Sequence, residues 1–171
     1  YQKLLNINDQ PINKKVKVIK KDTLNVLVSL NISKDASHEL LVKTFLAFEK
    51  NRPINYRVRF HPRMGSSKQI ISELMRIYNW KVIPRNILIK SCNSIQEDLH
   101  WADVVLLQGS GVELEAAIYG CYTVLVNSDC NINVNYMDLE EHNAVVCSSQ
   151  EIEDTLTSLC LNRRQLTKAP W

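Results

Sequence analysis

Short apolar stretches alternate with longer amphipathic stretches along most of this chain. Residues 24–30 (LNVLVSL) and residues 104–107 (VVLL) are almost continuously apolar, which is typical of strands buried on both faces of a sheet. Between them, residues 37–50 and 66–78 carry apolar side chains three or four positions apart, the spacing of a helix with one buried side. The pattern therefore predicts strands joined by helices.

The full order of predicted elements follows from extending this alternation. Further strands are predicted at 56–60, at 144–147 and after Gly120 to residue 126, with one or two short extended pieces in 82–89 that Pro84 interrupts. Further helices are predicted from 94 to 101 and from 148 to about 161, each opened by a capping box, and from about Val112. Such alternation implies right-handed crossovers and a mostly parallel sheet. We predict an α/β fold, a single Rossmann-like three-layer α/β/α domain.

Candidate ligand contacts follow from this topology, because open parallel sheets bind ligands outside the carboxyl ends of their strands. The segments that follow the predicted strands are 31–35, 61–67, 89–93, 108–111 and 127–133. Among short polar residues after the first strand, Asn31 is a candidate contact for phosphate or ribose, and ordinary loop chemistry is the alternative. The asparagine-rich stretch 127–135 lies on the same edge, and plain turn material is the simpler interpretation for it.

The turn after the fourth predicted strand is the most informative of these segments. Gly109, Ser110 and Gly111 allow a sharp turn with exposed backbone N–H groups, and the helix that follows points its positive end at the turn. This arrangement favours a bound phosphate, although such glycines also serve simple sheet connections. Glu113 and Glu115 would repel a phosphate beside them, so we expect a glutamate to face sugar or ribose hydroxyls instead.

A second candidate group follows the strand at residues 56–60. His61 and Arg63 can both donate hydrogen bonds to phosphate oxygens, and Pro62 between them fixes the turn. Within that strand, Arg57 and Arg59 share one face. Because charged side chains fit poorly inside a doubly covered sheet, either this strand lies at an edge or one arginine reaches toward the cleft. We expect an edge or an uncovered rim.

Composition restricts the remaining possibilities. The chain has 171 residues, 45% of them hydrophobic, and a net charge of +3, which suits one α/β domain and argues against a dedicated nucleic-acid partner. We divide it into a basic linker or edge segment at 1–21 and a domain at 22–171. The five cysteines are scattered without a CxxC pair, which favours a reducing compartment. Cys121, Cys147 and Cys160 lie in apolar stretches of the sequence, and we predict that they are small core residues. With no apolar run long enough to span a bilayer and no signal peptide, a cytoplasmic location is expected, and the rest of an enzyme could hold the domain at a membrane surface.

Several classes of site are disfavoured by the motifs. The four histidines are far apart, and neither HxH nor HExxH is present, so we expect no metal site and no cofactor. The sequence also lacks a GxSxG elbow, a P-loop and a GxGxxG fingerprint.

The stretch from residue 102 to 126 (ADVVLLQGSGVELEAAIYGCYTVLV), with the His61-Pro62 pair, resembles the C-terminal half of GT-B glycosyltransferases. The likeness extends over residues 24–161. It implies a domain that binds a nucleotide-sugar donor and an N-terminal partner domain that binds most of the acceptor. A chain that begins at Tyr1 rather than Met fits a piece of such an enzyme.

The resemblance also implies individual roles. Gly109, Ser110 and Gly111 would contact the donor phosphates, Glu113 or Glu115 would hold hydroxyls, and Ile89 with the loop up to residue 93 would lie near the base. His61 is similar to the histidine of the HP motif in bacterial sialyltransferase-like and glycerophosphotransferase-like enzymes, where it assists the leaving phosphate. The expected activity is glycosyl transfer without a metal.

The sequence departs from the commonest pattern of retaining enzymes in this group. Two glutamates seven residues apart are replaced by Glu113 and Glu115, with Gln108 before the loop, and there is no obvious Arg-Lys pair. Two other functions therefore stay open. One is half of a UDP-sugar 2-epimerase, and the other is a non-catalytic module for nucleotide binding or assembly.

Overall fold

The structure, a computed structural model, describes residues 23–47, 53–64, 67–90, 94–129, 132–133 and 143–162. The predicted basic segment at 1–21 lies outside this part of the chain. The strands are β1 (Leu24–Ser29), β2 (Ile54–Arg59), β3 (Ile87–Lys90), β4 (Val104–Leu107), β5 (Tyr122–Val126) and β6 (Asn143–Val146). The helices are α1 (Lys34–Leu46), α2 (Ser67–Ile77), α3 (Ile95–Trp101), α4 (Val112–Ile118) and α5 (Ser149–Leu161).

The strands form one six-stranded sheet in the order β3-β2-β1-β4-β5-β6. Every pairing between neighbours is parallel, with Val28 beside both Val58 and Leu106 in the register. This strand order is that of the doubly wound Rossmann-like fold. The predicted α/β class is confirmed.

Helices cover the sheet on both faces, and each face has its own core cluster. On one face, Val26 and Val28 of β1 pack in a cluster with Leu40 of α1, Ile70 of α2 and Ile152 of α5. On the other face, the shorter helices α3 and α4 contribute to a smaller cluster, whose buried members are Leu27, Leu99, Ala102, Val105, Leu107, Ala116, Cys121 and Leu125. The three layers that the alternating pattern predicts are therefore present.

Two element boundaries differ from the predictions for reasons of local hydrogen bonding. Helix α1 begins three residues earlier than predicted, because the Ser33 hydroxyl accepts a hydrogen bond from Ala36 N and caps the helix there. Strand β3 begins only at Ile87, because the backbone of Pro84 accepts a hydrogen bond from Ile87 N in a turn. Pro84 thus begins the turn that leads into β3, rather than dividing two strand segments.

The expectation that Arg57 and Arg59 mark an edge strand is wrong. Strand β2 lies between β1 and β3, inside the sheet. Asp98 of α3 supplies the missing negative charge, since its two carboxylate oxygens lie 2.8 Å from Arg57 Nη1 and 2.7 Å from Arg59 Nη1. The Arg57 guanidinium also lies 4.1 Å from the centre of the Trp101 ring, a cation–π contact. A covered strand accommodates both arginines because α3 brings a carboxylate and an aromatic ring to them.

The prediction that three cysteines lie in apolar surroundings is wrong for Cys147. Cys121 is buried and Cys160 is half-buried, as expected, but Cys147 is exposed because it directly follows the end of the edge strand β6.

Among the described residues, no helix combines the length and the apolar character that crossing a bilayer requires.

The Asp98 pairing gives a prediction for stability. Asp98→Asn removes the charge that two largely buried arginines share, so we expect the free energy of unfolding to fall by about 3–5 kcal/mol in urea denaturation. Glu97→Gln at the exposed neighbouring position is the control, and it should change stability far less. An unchanged denaturation midpoint for Asp98→Asn would show that the pairing contributes little.

Candidate functional site

The strand order of the sheet reverses between β1 and β4, and open α/β sheets have a crevice at the carboxyl edge where this happens. Strand β1 leads into α1, which packs on one face, and the adjacent β4 leads into α4, which packs on the other. The loops after β1 and β4 therefore diverge from neighbouring strands, which is where open α/β sheets bind ligands. This topology places Asn31 and the segment from Gln108 to Gly111 at one crevice.

Asn31 connects the two sides of this crevice. Its side-chain Nδ2 donates to the backbone O of Gln108 at 3.3 Å, and its Oδ1 accepts from Ser33 N at 3.4 Å. The Ser37 hydroxyl, which is fully buried, donates to Asn31 O at 2.8 Å. Asn31, which was predicted to contact a ligand, thus has both its amide nitrogen and its amide oxygen hydrogen-bonded within the protein.

The glycine loop, defined as Gly109, Ser110 and Gly111, has two glycines in different situations. Gly109 has a φ of 37°, in the left-handed region where other residues are strained. Gly111 has an ordinary helical φ of −57°, and a Cβ built on it would meet no atom within 4 Å. The Ser110 hydroxyl accepts from Val112 N at 3.4 Å. Backbone geometry explains Gly109, whereas Gly111 faces open space that a side chain could occupy.

The two acids that follow the loop have opposite environments. Glu113 is fully buried, and its N–H donates to Ser110 O at 3.0 Å. Glu115 is exposed. Of the two candidates for holding hydroxyl groups, Glu115 is therefore the one that solvent reaches in this structure.

His61 and Arg63 lie one strand further along the same edge, after β2. Arg63 N donates to His61 Nδ1 at 3.1 Å, and Met64 N donates to His61 O at 2.9 Å in the turn that contains Pro62. Because Nδ1 accepts a hydrogen bond in this arrangement, the imidazole hydrogen is on Nε2. His61 is half-buried with Nε2–H as its available donor, and Arg63 is exposed beside it.

Ile89 occupies a less favourable position than predicted for a ligand contact. It lies inside β3, beside Val58 in the register, and its side chain packs against the larger core cluster. The loop at 91–93, which the same prediction placed near a base, lies outside the described residues. A role for this segment stays a prediction.

Sequence reasoning did not single out the side chain of Gln108. Only 6% of Gln108 is exposed, and neither its Nε2 nor its Oε1 has a hydrogen-bond partner among the residues that the structure describes. A buried amide in this state costs about 1–3 kcal/mol of stability. Proteins tend to retain such costs at functional sites, and the position of Gln108 at the crevice is consistent with that.

A charged cluster that the sequence did not indicate ties α1 to the loop after β5. Glu39 accepts hydrogen bonds from the Ser128 hydroxyl at 2.5 Å and from Asp129 N at 2.8 Å. Lys43 lies 2.9 Å from Glu39 and 3.0 Å from Asp129, and donates to Asn127 O at 2.9 Å. The start of the asparagine-rich stretch is thus an ordered turn held by a helix.

Electrostatics within this cluster favour its charged state. Burial acts to raise the pKa of Glu39, but hydrogen bonds from Ser128, Asp129 N and Lys43 outweigh it and lower that pKa below its ordinary value. Burial likewise acts to lower the pKa of Lys43, and its contacts with Glu39 and Asp129 reverse the effect and raise that pKa. Both groups are therefore ionised at neutral pH.

The described residues bring no three His, Cys, Asp or Glu side chains together in a group that could hold a metal ion. The polar groups along this edge of the sheet are instead backbone amides, hydroxyls, side-chain amides, and the His61 and Arg63 side chains. Such groups suit an anionic ligand with hydroxyl groups.

The fold is a Rossmann-like α/β domain, and solved structures share it across most of this chain. The UDP-GlcNAc 2-epimerase of Neisseria meningitidis, bound to UDP-GlcNAc, matches with a TM-score of 0.61 at 10% identity, over 87% of this chain and 39% of that chain. The C-terminal domain of a group 1 family glycosyl transferase from Francisella tularensis matches with a TM-score of 0.57 at 18% identity, over 85% of this chain and 79% of that one. HepE of Anabaena, in complex with UDP-glucose, matches with a TM-score of 0.60 at 11% identity, over 83% and 40%.

These likenesses define the fold as that of the C-terminal Rossmann-like domain of GT-B glycosyltransferases and UDP-GlcNAc 2-epimerases. The chain spans about two fifths of the length of the epimerase and of HepE. No family model matches the sequence, and no curated protein matches it either.

The Glu39 cluster gives a pH prediction. Because folding lowers the pKa of Glu39, its ionised form stabilises the fold above the ordinary pKa, and this contribution is lost as the pH falls through the lowered value. We expect the wild-type free energy of unfolding to fall between about pH 6 and pH 3, and Glu39→Gln to lose about 1–3 kcal/mol at pH 7 with a shallower acid dependence.

The measurement is urea denaturation across that pH range. Asp35→Asn removes the same charge from an exposed position of α1 and serves as the control. An acid dependence that is equally steep in Glu39→Gln and wild type would contradict the prediction.

Proposed function

We propose that this chain is the donor-binding domain of a GT-B glycosyltransferase, with a nucleotide sugar bound at the crevice between the β1 and β4 loops. The acceptor would bind in a second domain. The alignment with the longer structural neighbours leaves more than half of their length uncovered, which is enough for such a domain. Metal-independent transfer fits a site whose candidate groups for a phosphate are backbone amides, His61 and Arg63.

The observation that carries this proposal is the open space at Gly111. Neither the φ of this residue nor any contact of a Cβ explains why glycine occurs there. A ligand that approaches the backbone closely does explain it, because a methyl group would stand between the ligand and the loop. The position at the switch point of the sheet supports the same interpretation.

Each group at the edge then has a distinct role. The glycine loop amides and the Ser110 hydroxyl hold the donor diphosphate, and Glu115 takes hydroxyls of the ribose or donor sugar. Glu113 is the alternative only if the loop moves, since its side chain is fully buried. His61 Nε2–H and Arg63 donate to the phosphate nearest the sugar.

The transfer step places the largest charge change at the departing phosphate. The bond between the anomeric carbon and the phosphate oxygen breaks, and its electron pair stays on that oxygen. The acceptor oxygen forms the new bond to the anomeric carbon and passes its proton to a base of the acceptor domain. Donors fixed around the developing negative charge, here His61 and Arg63, lower the barrier to this step.

A UDP-sugar 2-epimerase is the second candidate, because 2-epimerase structures are among those that share the fold. The two reactions leave different products. Incubating the full-length protein with UDP-GlcNAc and following the sugar by NMR would show inversion at C2 for an epimerase, and release of UDP with an acceptor for a transferase. A nucleotide-binding module without activity would give neither product.

The role of Gly111 is tested with the glycine at the other end of the same helix as its control. Gly111→Ala should change the free energy of unfolding by less than about 1 kcal/mol, because its φ suits alanine. It should weaken binding of the matching nucleotide by about tenfold or more, the result of losing close backbone contact. Isothermal titration with UDP, CDP, GDP, CMP and their sugar conjugates measures this.

Gly120→Ala should show the opposite behaviour. Gly120 has a φ of 68°, so alanine there should cost about 1–2 kcal/mol of stability while leaving nucleotide affinity unchanged. If Gly111→Ala binds the nucleotide as tightly as the wild type, the ligand does not lie against the glycine loop.

The role of His61 Nε2 is tested by two substitutions, each of which keeps one of the two hydrogen-bonding functions of the imidazole. Asparagine keeps an acceptor near the position of Nδ1 for Arg63 N, and glutamine keeps a donor near the position of Nε2. We expect His61→Asn to weaken nucleotide binding by about 1–3 kcal/mol, and His61→Gln to retain more of the affinity. Titration calorimetry gives both values, with thermal unfolding as the check on the fold. Equal losses in the two variants would show that Nε2 is not the group that donates to the phosphate.

A further inference from the structure

We infer that Asn31 is a positioning residue that holds the glycine loop in its binding geometry, rather than a ligand contact. This inference rests on the proposed function, since it assigns Asn31 a task at the same nucleotide site. It starts from the hydrogen bond between Asn31 Nδ2 and Gln108 O at 3.3 Å, which joins the loop after β1 to the residue directly before Gly109.

The side chain of Asn31 is itself fixed in place. Its Oδ1 accepts from Ser33 N, and its backbone O accepts from the fully buried Ser37 hydroxyl. Ser33 and Ser37 belong to the cap and first turns of α1, so Asn31 is held by a long helix of 13 residues. The glycine loop, by contrast, leads into α4, which has only seven residues. The longer helix thus holds the loop that leads into the shorter one.

The need for such an anchor follows from the chemistry of the loop. Gly109 occupies the left-handed region, and glycine has more conformational freedom to lose than any other residue. Backbone amides bind a phosphate well only when they already point at it, because ordering them on binding lowers the affinity. Holding the carbonyl before Gly109 restricts the peptide plane from which the loop departs.

The structure contains a matched control at the opposite end of the same two strands. Asn25, in β1, donates from Nδ2 to Trp101 O at 3.2 Å, just before β4. A side-chain amide therefore connects the chain at each end of β1 to the chain next to β4. Asn31 does so at the carboxyl edge, and Asn25 does so at the amino edge, far from the glycine loop.

The experiment compares Asn31→Ala with Asn25→Ala in hydrogen–deuterium exchange without ligand and in titration with the nucleotide that binds the wild type. We expect Asn31→Ala to speed exchange of the amides from Gly109 to Val112 by roughly threefold to tenfold, the range that one lost hydrogen bond allows. Nucleotide affinity should fall by a similar factor. Asn25→Ala should lower the melting temperature but change neither the loop exchange nor the affinity.

Three other outcomes overturn the inference in different ways. Weaker binding with unchanged loop exchange in Asn31→Ala means that Asn31 contacts the ligand directly. Unchanged exchange and unchanged affinity mean that the hydrogen bond to Gln108 O has no effect on the loop. Faster loop exchange in both variants means a general loss of stability rather than positioning.

If the wild type binds none of the nucleotides, the proposed function fails, and the exchange data still decide the role of Asn31. Faster exchange confined to the glycine loop in Asn31→Ala would support positioning of that loop whatever its ligand. Unchanged exchange would overturn it.

Discussion

The parallel pairing of β1 with β4 is the constraint on which the rest of this structure depends. The paired positions of these two strands are 78 residues apart, for example Leu27 beside Val105, and the chain leaves the strands for opposite faces of the sheet. Their buried side chains specify the register, because a slip by one residue would exchange the two core clusters. A crevice at the carboxyl edge follows from this geometry before any particular side chain is considered.

Helix α1 is the element that organises this crevice. Its cap residue Ser33 and its buried Ser37 hold Asn31, and through it the residue before the glycine loop. Further along the same helix, Glu39 and Lys43 hold the loop after β5. Three loops of the carboxyl edge are thus attached to one helix, which itself packs in the larger core cluster. Polar contacts of this kind add little to stability one by one, but together they fix the relative positions of loops that hydrophobic packing leaves undefined.

The parts of the structure that the sequence predicts are those that depend on local pattern. Strands β1 and β4 are almost entirely apolar, and a strand covered on both faces leaves little ambiguity. The glycine loop and the turn at His61 follow from strand ends, so their common edge was predictable as well. Pairing between distant side chains is different. Nothing near Arg57 indicates that Asp98, 41 residues later, will neutralise it inside the sheet. Glu39 and Ser128 are 89 residues apart, and Gln108 is informative only once its amide is known to be buried.

In the proposed transfer reaction, the arrangement of charge at the edge determines which part of the chemistry this domain would perform. His61 Nδ1 accepts from Arg63 N and leaves Nε2–H as its donor, the Arg63 side chain is exposed beside it, and the Lys43 charge is balanced by Glu39 and Asp129. These groups suit the side of a reaction where negative charge accumulates on a leaving phosphate. Activating an acceptor hydroxyl needs the opposite, an exposed group that accepts a proton. Glu113 is buried, and Glu115 holds hydroxyls of the donor in the proposed binding mode. In a transferase, the base would then come from across the crevice, so that closing two domains on each other would complete the site. An epimerase half would have to meet the same requirement differently, because there the proton is removed from the sugar itself.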